Sequence, residues 1–171
     1  MAGISARLLN RLLAAAVALL AAALAWLVVQ DRDAQAAWDD RQAVLLAART
    51  HAVNLLSLDH ETIDADVARI LATSTGAARA EYEAGADKLK STTKADKVVQ
   101  EGVVRATGLV SIDGDAGGDG DDGGTARALV VADVEIRWDG SDSPPQERFY
   151  RWQMDLAKVK GVWLVSKAVQ V

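Results

Sequence analysis

The segment Ala128-Leu-Val-Val-Ala-Asp-Val-Glu-Ile-Arg-Trp138 determines the fold class of this chain, because its side chains alternate in polarity. A period of two places successive side chains on opposite faces of a β-strand. The charged residues Asp133, Glu135 and Arg137 fall on one face. The segment therefore predicts a strand with one face in a core and the other in water. The inward residues are Ala128, Val130, Ala132, Val134, Ile136 and Trp138.

Three neighbouring segments have similar patterns and predict three more strands. Residues 147–157 place Tyr150, Trp152, Met154 and Leu156 inward, and residues 103–112 and 162–171 are rich in branched apolar side chains. The connections between these segments are too short for the crossovers that parallel strands need. The sequence therefore predicts a four-stranded antiparallel sheet.

Helical spacing dominates the residues before the sheet. Residues 30–58 predict a long helix leaving a membrane as a stalk, a second helix follows Thr62, and a third covers 77–91. Helices followed by a meander of strands indicate an α+β fold, with the helices packed on a curved antiparallel sheet. We expect the α+β domain to occupy residues 59–171.

The N-terminal segment is apolar enough to cross a membrane. Residues 12–29 contain no charged or polar side chain and, as a helix, would extend about 27 Å. Arg7 and Arg11 precede them, which predicts a cytoplasmic N-terminus (1–11) and an extracytoplasmic domain. The alternative is a signal peptide cleaved near Ala34-Gln35-Ala36, but the apolar run exceeds the usual length for a signal peptide. We expect a single-pass protein of the plasma membrane.

The composition excludes several classes of function. The 171 residues suffice for one domain plus an appendage, and the absence of cysteine excludes thiol chemistry and disulfides. Arg7 and Arg11 are the only charges before residue 30, so residues 30–171 contain 17 bases and 24 acids, a net charge of −7. This charge argues against nucleic-acid binding, which needs a clustered basic surface.

The candidate sites for metal binding and catalysis fail on their spacing. The Gly/Asp-rich stretch 113–124 lacks the oxygen at position 5 and the closing Glu of an EF-hand, so we interpret it as a solvated hairpin loop. Of the two histidines, His60 lies in Asp59-His60-Glu61, where the chain approaches a helix. Side chains that are adjacent in sequence point in different directions around the helix axis, so these three do not converge on one site. No nucleophile elbow, phosphate-binding loop or HExxH sequence is present. We therefore expect no catalytic residue, no metal and no cofactor.

The late aromatic residues leave two interpretations open. Trp138, Tyr150, Trp152 and Trp163 could line a lipid-sized pocket on the concave face of the sheet, or they could simply form its core.

The run Val53-Asn-Leu-Leu-Ser-Leu-Asp-His-Glu-Thr-Ile-Asp-Ala-Asp-Val-Ala-Arg-Ile-Leu71 resembles a segment of the Mce-associated membrane proteins of actinobacteria. Asp59, Thr62, Asp66 and Arg69 match that motif, and the order of parts and the late Tyr150-Arg151-Trp152 run are also similar. The loop 113–124 departs from the family in its length and acidity. The resemblance implies a cystatin-like domain related to nuclear transport factor 2 (NTF2) and to the VirB8 scaffold. It also implies structural roles for the motif: Thr62 capping a helix, Asp66 near the helix start and Arg69 pairing with a carboxylate or with helix-end carbonyls.

These observations lead to a hypothesis and two alternatives. The resemblance implies a non-enzymatic accessory protein of the cell envelope that scaffolds an Mce-type lipid import complex, with Mce transporter subunits or related envelope proteins as partners. One alternative is a VirB8-like scaffold of a secretion or conjugation system. A less favoured alternative is an NTF2-like lipid-binding, dehydratase or isomerase domain, which would need His51, or His60 with an acid, inside the sheet cavity. The sequence is compatible with lipid binding and with homo-oligomerisation and favours neither.

Overall fold

The computed structural model describes residues 6–114 and 123–171. The chain divides into two compact units, residues 1–39 and 40–171. Of the predicted loop 113–124, residues 115–122 lie outside the described residues. The elements, in chain order, are α1 (Ala6–Leu56), β1 (Leu58–Asp59), α2 (Ile63–Ala72), α3 (Gly76–Ala95), β2 (Val98–Asp113), β3 (Thr125–Trp138), β4 (Gln146–Val159) and β5 (Val162–Gln170).

The sheet is an antiparallel meander with the strand order β1-β2-β3-β4-β5. The α+β architecture, with helices on a curled antiparallel sheet, is therefore confirmed, and the four predicted strands correspond to β2 to β5. The structure adds β1, a pair of residues that joins the edge of β2 through Leu58 opposite Gln100 and Asp59 opposite Val99. A strand of two residues is too short to produce a pattern of alternating polarity, so the sequence did not indicate it.

The unit formed by residues 1–39 contains the apolar part of α1. Among the described residues, α1 is the one helix long and apolar enough to cross a membrane, and its apolar window has no buried side chain. Leu20, Leu24 and Trp26 are examples of exposed apolar residues in this part. Exposed apolar side chains on a helix of this length fit a hydrocarbon environment better than water.

The second part of α1 differs from the predicted stalk. Val44, Ala48 and Ala52 are fully buried and Leu56 is 4% exposed, all within the unit that begins at residue 40. The four-residue spacing brings these side chains to one helix face, and the concave face of the sheet needs an apolar cover. The predicted domain boundary at residue 59 is therefore corrected to residue 40, because this part of the helix belongs to the core.

The main core lies between α1 and the sheet. The inward faces predicted for β3 and β4 are confirmed, with Met154 and Leu156 on β4 buried and Trp138, Tyr150 and Trp152 partly buried. The buried members of this core are Val44, Ala48, Ala52, Leu56, Val104, Ala126, Ala128, Val130, Ala132, Val134, Ile136, Met154, Leu156, Trp163 and Val165. The small side chains of α1 let the helix approach the sheet closely.

A smaller apolar cluster packs α2 and α3 beside the main core. Leu58, Ile63, Val67 and Ile70 form it, and Leu55, Leu71, Tyr82 and Ala86 pack against it. The third helix extends to Ala95, about one turn beyond the predicted end. Irregular pairing between Val104 and Ala106 and between Leu109 and Ser111 bends β2, as β-bulges do, and so helps the sheet to curl.

Candidate functional site

The four residues of the sequence motif come together where β1 meets α2, and we call them the motif cluster. Asp66 is its centre. Its carboxylate accepts hydrogen bonds from the Asp59 backbone N–H (2.8 Å), the Thr62 hydroxyl (3.1 Å) and Arg69 Nη2 (2.6 Å). Asp59 Oδ1 in turn accepts from the backbone N–H of Glu61 (2.8 Å). The cluster therefore fixes the turn between strand and helix.

Burial explains why Asp66 needs these partners. Its side chain is 1% exposed, whereas the Arg69 side chain is 52% exposed. A buried carboxylate is tolerated only when charged or polar donors surround it. The role of Arg69 that the resemblance implied, pairing with a carboxylate, matches this geometry.

The role implied for Thr62 is corrected. Thr62 occupies the N-cap position of α2, but its side chain makes no capping hydrogen bond. Its hydroxyl instead donates to the buried Asp66 carboxylate one turn later. Asp66 lies in the first turn of α2, where its negative charge also suits the positive end of the helix dipole.

A groove of about 240 Å³ opens beside the motif cluster. The four motif residues line it with Ser57, Leu58, Val99, Gln100 and Glu101. Because the Asp66 carboxylate already binds within the protein, the motif cluster presents to this groove chiefly the half-exposed Arg69 side chain, beside the exposed Glu101. We interpret the cluster as a structural joint with one accessible cation.

His51 is buried between the three helices. Its Nδ1 lies 2.8 Å from Thr73 Oγ1 and its Nε2 lies 3.2 Å from Tyr82 Oη. The Thr73 hydroxyl donates to the carbonyls of Arg69 and Ile70, so it can accept from Nδ1–H while Nε2 accepts from Tyr82. Burial lowers the pKa of His51 to about 4, which favours this neutral form. Burial and, after it, the charge of Glu81 raise the pKa of Tyr82.

The second histidine sits elsewhere, on the turn after β1. His60 Nε2 lies 3.0 Å from Asp139 Oδ2, and the backbone N–H of His60 donates to the Val98 carbonyl. His51 and His60 therefore have separate partners, and each contributes a local link: His51 between helices, His60 between the β1 turn and the end of β3.

The aromatic residues predicted as candidate cavity lining are distributed over different surroundings. Trp138, Tyr150 and Trp152 pack against the main core, and the rings of Tyr150 and Trp152 stack with centroids 5.1 Å apart. Trp163 is 6% exposed and lines an apolar groove of about 360 Å³ with residues of α1 and of the β4–β5 hairpin, such as Leu46 and Val162.

Two features of the surface escaped the sequence patterns. Asp40 on α1 accepts from Lys158 Nζ (2.9 Å) and Trp163 Nε1 (3.4 Å), a contact between residues more than 100 positions apart. A groove of about 340 Å³ lies on the side of the sheet that points away from α1. Its lining includes Glu101, Glu135, Glu147 and Phe149. Packing of α1 on the sheet creates the first feature and strand register creates the second, so a one-dimensional pattern carries no signal for either. Among the described residues, no group of three or more His, Asp or Glu side chains could hold a metal ion.

The fold is similar to those of several solved structures, one of them a periplasmic domain. The periplasmic domain of DotI aligns with a TM-score of 0.59 at 15% identity, covering 76% of this chain and 94% of that chain. An IcmL-like type IV secretion system protein from Legionella pneumophila gives a TM-score of 0.57 at 13% identity, covering 77% and 93%. The Agrobacterium tumefaciens VirB8 protein gives 0.50 at 12% identity, covering 76% and 90%. At these identities the similarity concerns the fold alone.

Sequence comparison assigns the chain to a protein family. A Mycobacterium tuberculosis H37Rv protein described as "Uncharacterized protein Rv1363c" is 30% identical over 142 residues, which are 83% of this chain and 51% of that protein. The chain thus spans about half the length of this curated relative. The family model described as "Uncharacterized protein Rv1363c/MT1408-like" matches residues 8–171. The chain therefore belongs to the Rv1363c/MT1408-like family.

Proposed function

We propose that this protein is a non-enzymatic, single-pass accessory protein of the cell envelope, and that its extracytoplasmic α+β domain scaffolds a membrane-bound complex. The proposal combines the apolar part of α1, which is suited to a membrane, with a domain whose fold resembles periplasmic domains. In this role the domain works by binding partners, and the membrane helix keeps it at the envelope.

One observation carries the non-enzymatic part of the proposal. The concave face of the sheet, where an NTF2-like domain would hold a ligand or catalytic groups, is filled by α1 side chains. Val44, Ala48 and Ala52 are fully buried there, and Leu56 is 4% exposed. His51 is held between Thr73 and Tyr82, and His60 pairs with Asp139 on another surface. This arrangement supports a packed scaffold over a dehydratase, isomerase or lipid-binding cavity.

Two kinds of complex are candidates. The motif of residues 53–71 favours an Mce-type lipid importer, through its resemblance to Mce-associated proteins. The fold favours a VirB8-like scaffold of a secretion or conjugation system, since one of the similar structures is a type IV secretion system protein. Both candidates share the scaffold role and differ in the subunits that the domain would contact.

The test is purification of the complete, tagged chain from its native membranes after mild crosslinking, with quantitative mass spectrometry of what is recovered. The matched control carries residues 1–39 fused to an unrelated extracytoplasmic domain, so that binding through the membrane segment alone is subtracted. Enrichment of Mce transporter subunits over the control would identify a lipid importer, and enrichment of secretion-channel subunits would identify the second candidate. Failure to enrich any membrane complex would overturn the scaffold proposal.

A further inference from the structure

The outer face of the sheet, which we define as the side of β2, β3 and β4 that points away from α1, leaves apolar side chains in solvent. Phe149 is 73% exposed, Val103 46%, Leu129 44% and Val131 38%. A solvated sheet face normally carries polar residues. Exposed apolar residues that are contiguous and bordered by charge indicate an interaction surface.

The strand register places three glutamates in one row at an end of this face. Glu101 on β2 lies opposite Glu135 on β3, and Glu135 lies opposite Glu147 on β4. Directly opposed residues have Cβ atoms about 5 Å apart, and like charges at that distance destabilise a sheet. The row is therefore unfavourable for the isolated domain and favourable for a cation placed over it.

The next row holds the apolar part of the same groove. Asp133 lies between Val103 and Phe149 in the register, and its carboxylate forms an ion pair with Arg105. Arg105 is therefore already engaged by Asp133. The resulting outer groove of about 340 Å³ combines an acidic end formed by the three glutamates with an exposed aromatic ring and a valine.

We propose that the outer groove docks a segment of a partner protein in which lysine or arginine lies next to apolar side chains. The cation contacts the Glu101–Glu135–Glu147 row and the face of the Phe149 ring, and the apolar neighbours cover Phe149 and Val103. The choice of a protein as occupant rests on the proposed scaffold function.

Net charge disfavours two other occupants. A second copy of this chain would bring toward the same acidic row a domain whose residues 40–171 contain 16 bases and 21 acids, a net charge of −5. An anionic membrane surface would meet the same repulsion. A basic segment with apolar neighbours complements both parts of the groove.

The test measures binding of a fluorescein-labelled Lys-Val-Arg-Val-Lys peptide to the complete chain in neutral detergent, by fluorescence anisotropy. Empty micelles and a Glu-Val-Glu-Val-Glu peptide serve as blanks. The groove variants are the triple Glu101→Gln/Glu135→Gln/Glu147→Gln and the single Phe149→Ser. The matched control, Glu81→Gln/Asp87→Asn/Asp142→Asn, removes three exposed negative charges elsewhere.

We expect the triple groove variant to bind the basic peptide about tenfold more weakly and Phe149→Ser to weaken it as well, because each removes one part of the site. The control should stay within about twofold, and added salt should weaken binding to the wild-type chain. Neutralising the glutamate row should also leave the melting temperature unchanged or higher, since like-charge contacts are removed.

Equal binding by the wild type and either groove variant would overturn the proposal, and so would an equal loss in the control, because binding would then follow net charge. A lower melting temperature for the triple groove variant would contradict the destabilising role of the row. The peptide assay needs no native complex, so its outcome is independent of the purification that tests the scaffold function.

Discussion

At the scale of single residues, Gly102 sets the distance between α1 and the sheet. A Cβ atom at this position would meet the Leu56 Cβ and lie 3.2 and 3.3 Å from the Leu56 backbone C and Cα. We expect Gly102→Ala to lower the free energy of unfolding by about 1–3 kcal/mol, because the helix must shift to make room. Denaturant titration of the complete chain measures this.

The control for that variant is Gly108→Ala on the same strand, where a new Cβ would meet nothing within 4 Å. Its effect should stay within about 0.5 kcal/mol. Equal destabilisation by the two substitutions would show that the cost comes from β2 itself and not from the contact with α1.

Asp66 illustrates how one buried charge joins two elements. Asp66→Asn keeps the shape of the side chain but removes the negative charge that Arg69 and Thr62 face. We expect a loss of about 1–3 kcal/mol in the free energy of unfolding, because one acceptor oxygen becomes an amide NH2 that faces the donors of Asp59, Thr62 and Arg69.

Asp64→Asn is the matched comparison, since both residues lie in the first turn of α2. Asp64 is exposed and pairs with Lys90 and Lys94, whose hydrogen bonds and charges lower the pKa of this carboxyl to about 2. Exposed ion pairs contribute little to stability, so its variant should unfold almost like the wild type. A larger loss for Asp64→Asn than for Asp66→Asn would contradict the importance assigned to the buried cluster.

The burial of His51 leads us to expect that the folded chain loses stability in acid. Burial lowers the pKa of His51 from 6.5 to about 4 in the folded chain, so between these values the unfolded chain binds the proton more readily. The contribution is complete above pH 6.5 and falls by about 3 kcal/mol as the pH drops through 4. Unfolding titrations at intervals from pH 7 to pH 4 measure it.

The variant His51→Gln should flatten the pH dependence in that window, because glutamine does not titrate there. Identical slopes for the wild type and His51→Gln would mean that other groups cause the acid sensitivity.

At the scale of elements, α1 is the element whose role changed most. The spacing of Ala48, Ala52 and Leu56 predicted a helix, but the same spacing suits a solvated stalk and a core helix equally. What distinguishes the two is the concave sheet face, which is assembled from residues 98–170 and therefore invisible to a local pattern.

This role of α1 predicts the result of two truncations. A fragment of residues 40–171 should melt cooperatively, because it contains the whole compact unit. A fragment of residues 59–171 should lose the cooperative transition and bind a hydrophobic dye, because the concave face is left uncovered. Circular dichroism melts and dye fluorescence provide the measurement. If the fragment 59–171 melted cooperatively at the same temperature as the fragment 40–171, the domain boundary would lie at residue 59.

At the scale of the whole molecule, the proposed membrane topology places the N-terminus in the cytoplasm and the α+β domain outside it. Because the chain has no cysteine, a single introduced thiol can report on each side. In Ser143→Cys, in the exposed turn between β3 and β4, the single thiol should react with a membrane-impermeant maleimide in intact cells. In Ser5→Cys, near the basic N-terminus, the thiol should react only after permeabilisation. Labelling of both variants in intact cells, or of Ser5→Cys alone, would contradict an inside N-terminus.

The strands and helices were largely predictable because they follow from periodicity. Alternation from Ala128 to Trp138 assigned a face to every side chain, and those assignments are confirmed for β3. The motif residues Asp59, Thr62, Asp66 and Arg69 were identifiable from sequence, but the direction of the Thr62 hydrogen bond depends on where the buried Asp66 carboxylate ends up. The row of glutamates lay outside any such prediction, because its members are separated by 34 and 12 residues in the chain.

The apolar segment, the α+β class and the buried faces of the strands could be read from the sequence, because hydrophobic periodicity is a local property of the chain. The packing of α1 on the sheet, which completes the core, is a property of the tertiary structure, and so is the close approach of Leu56 that only a glycine at position 102 leaves room for. Tertiary structure also decided that Glu101, Glu135 and Glu147 form one acidic row beside Phe149. These features depend on register and on packing between distant segments, which come into being only when the strands pair and the helix closes over them.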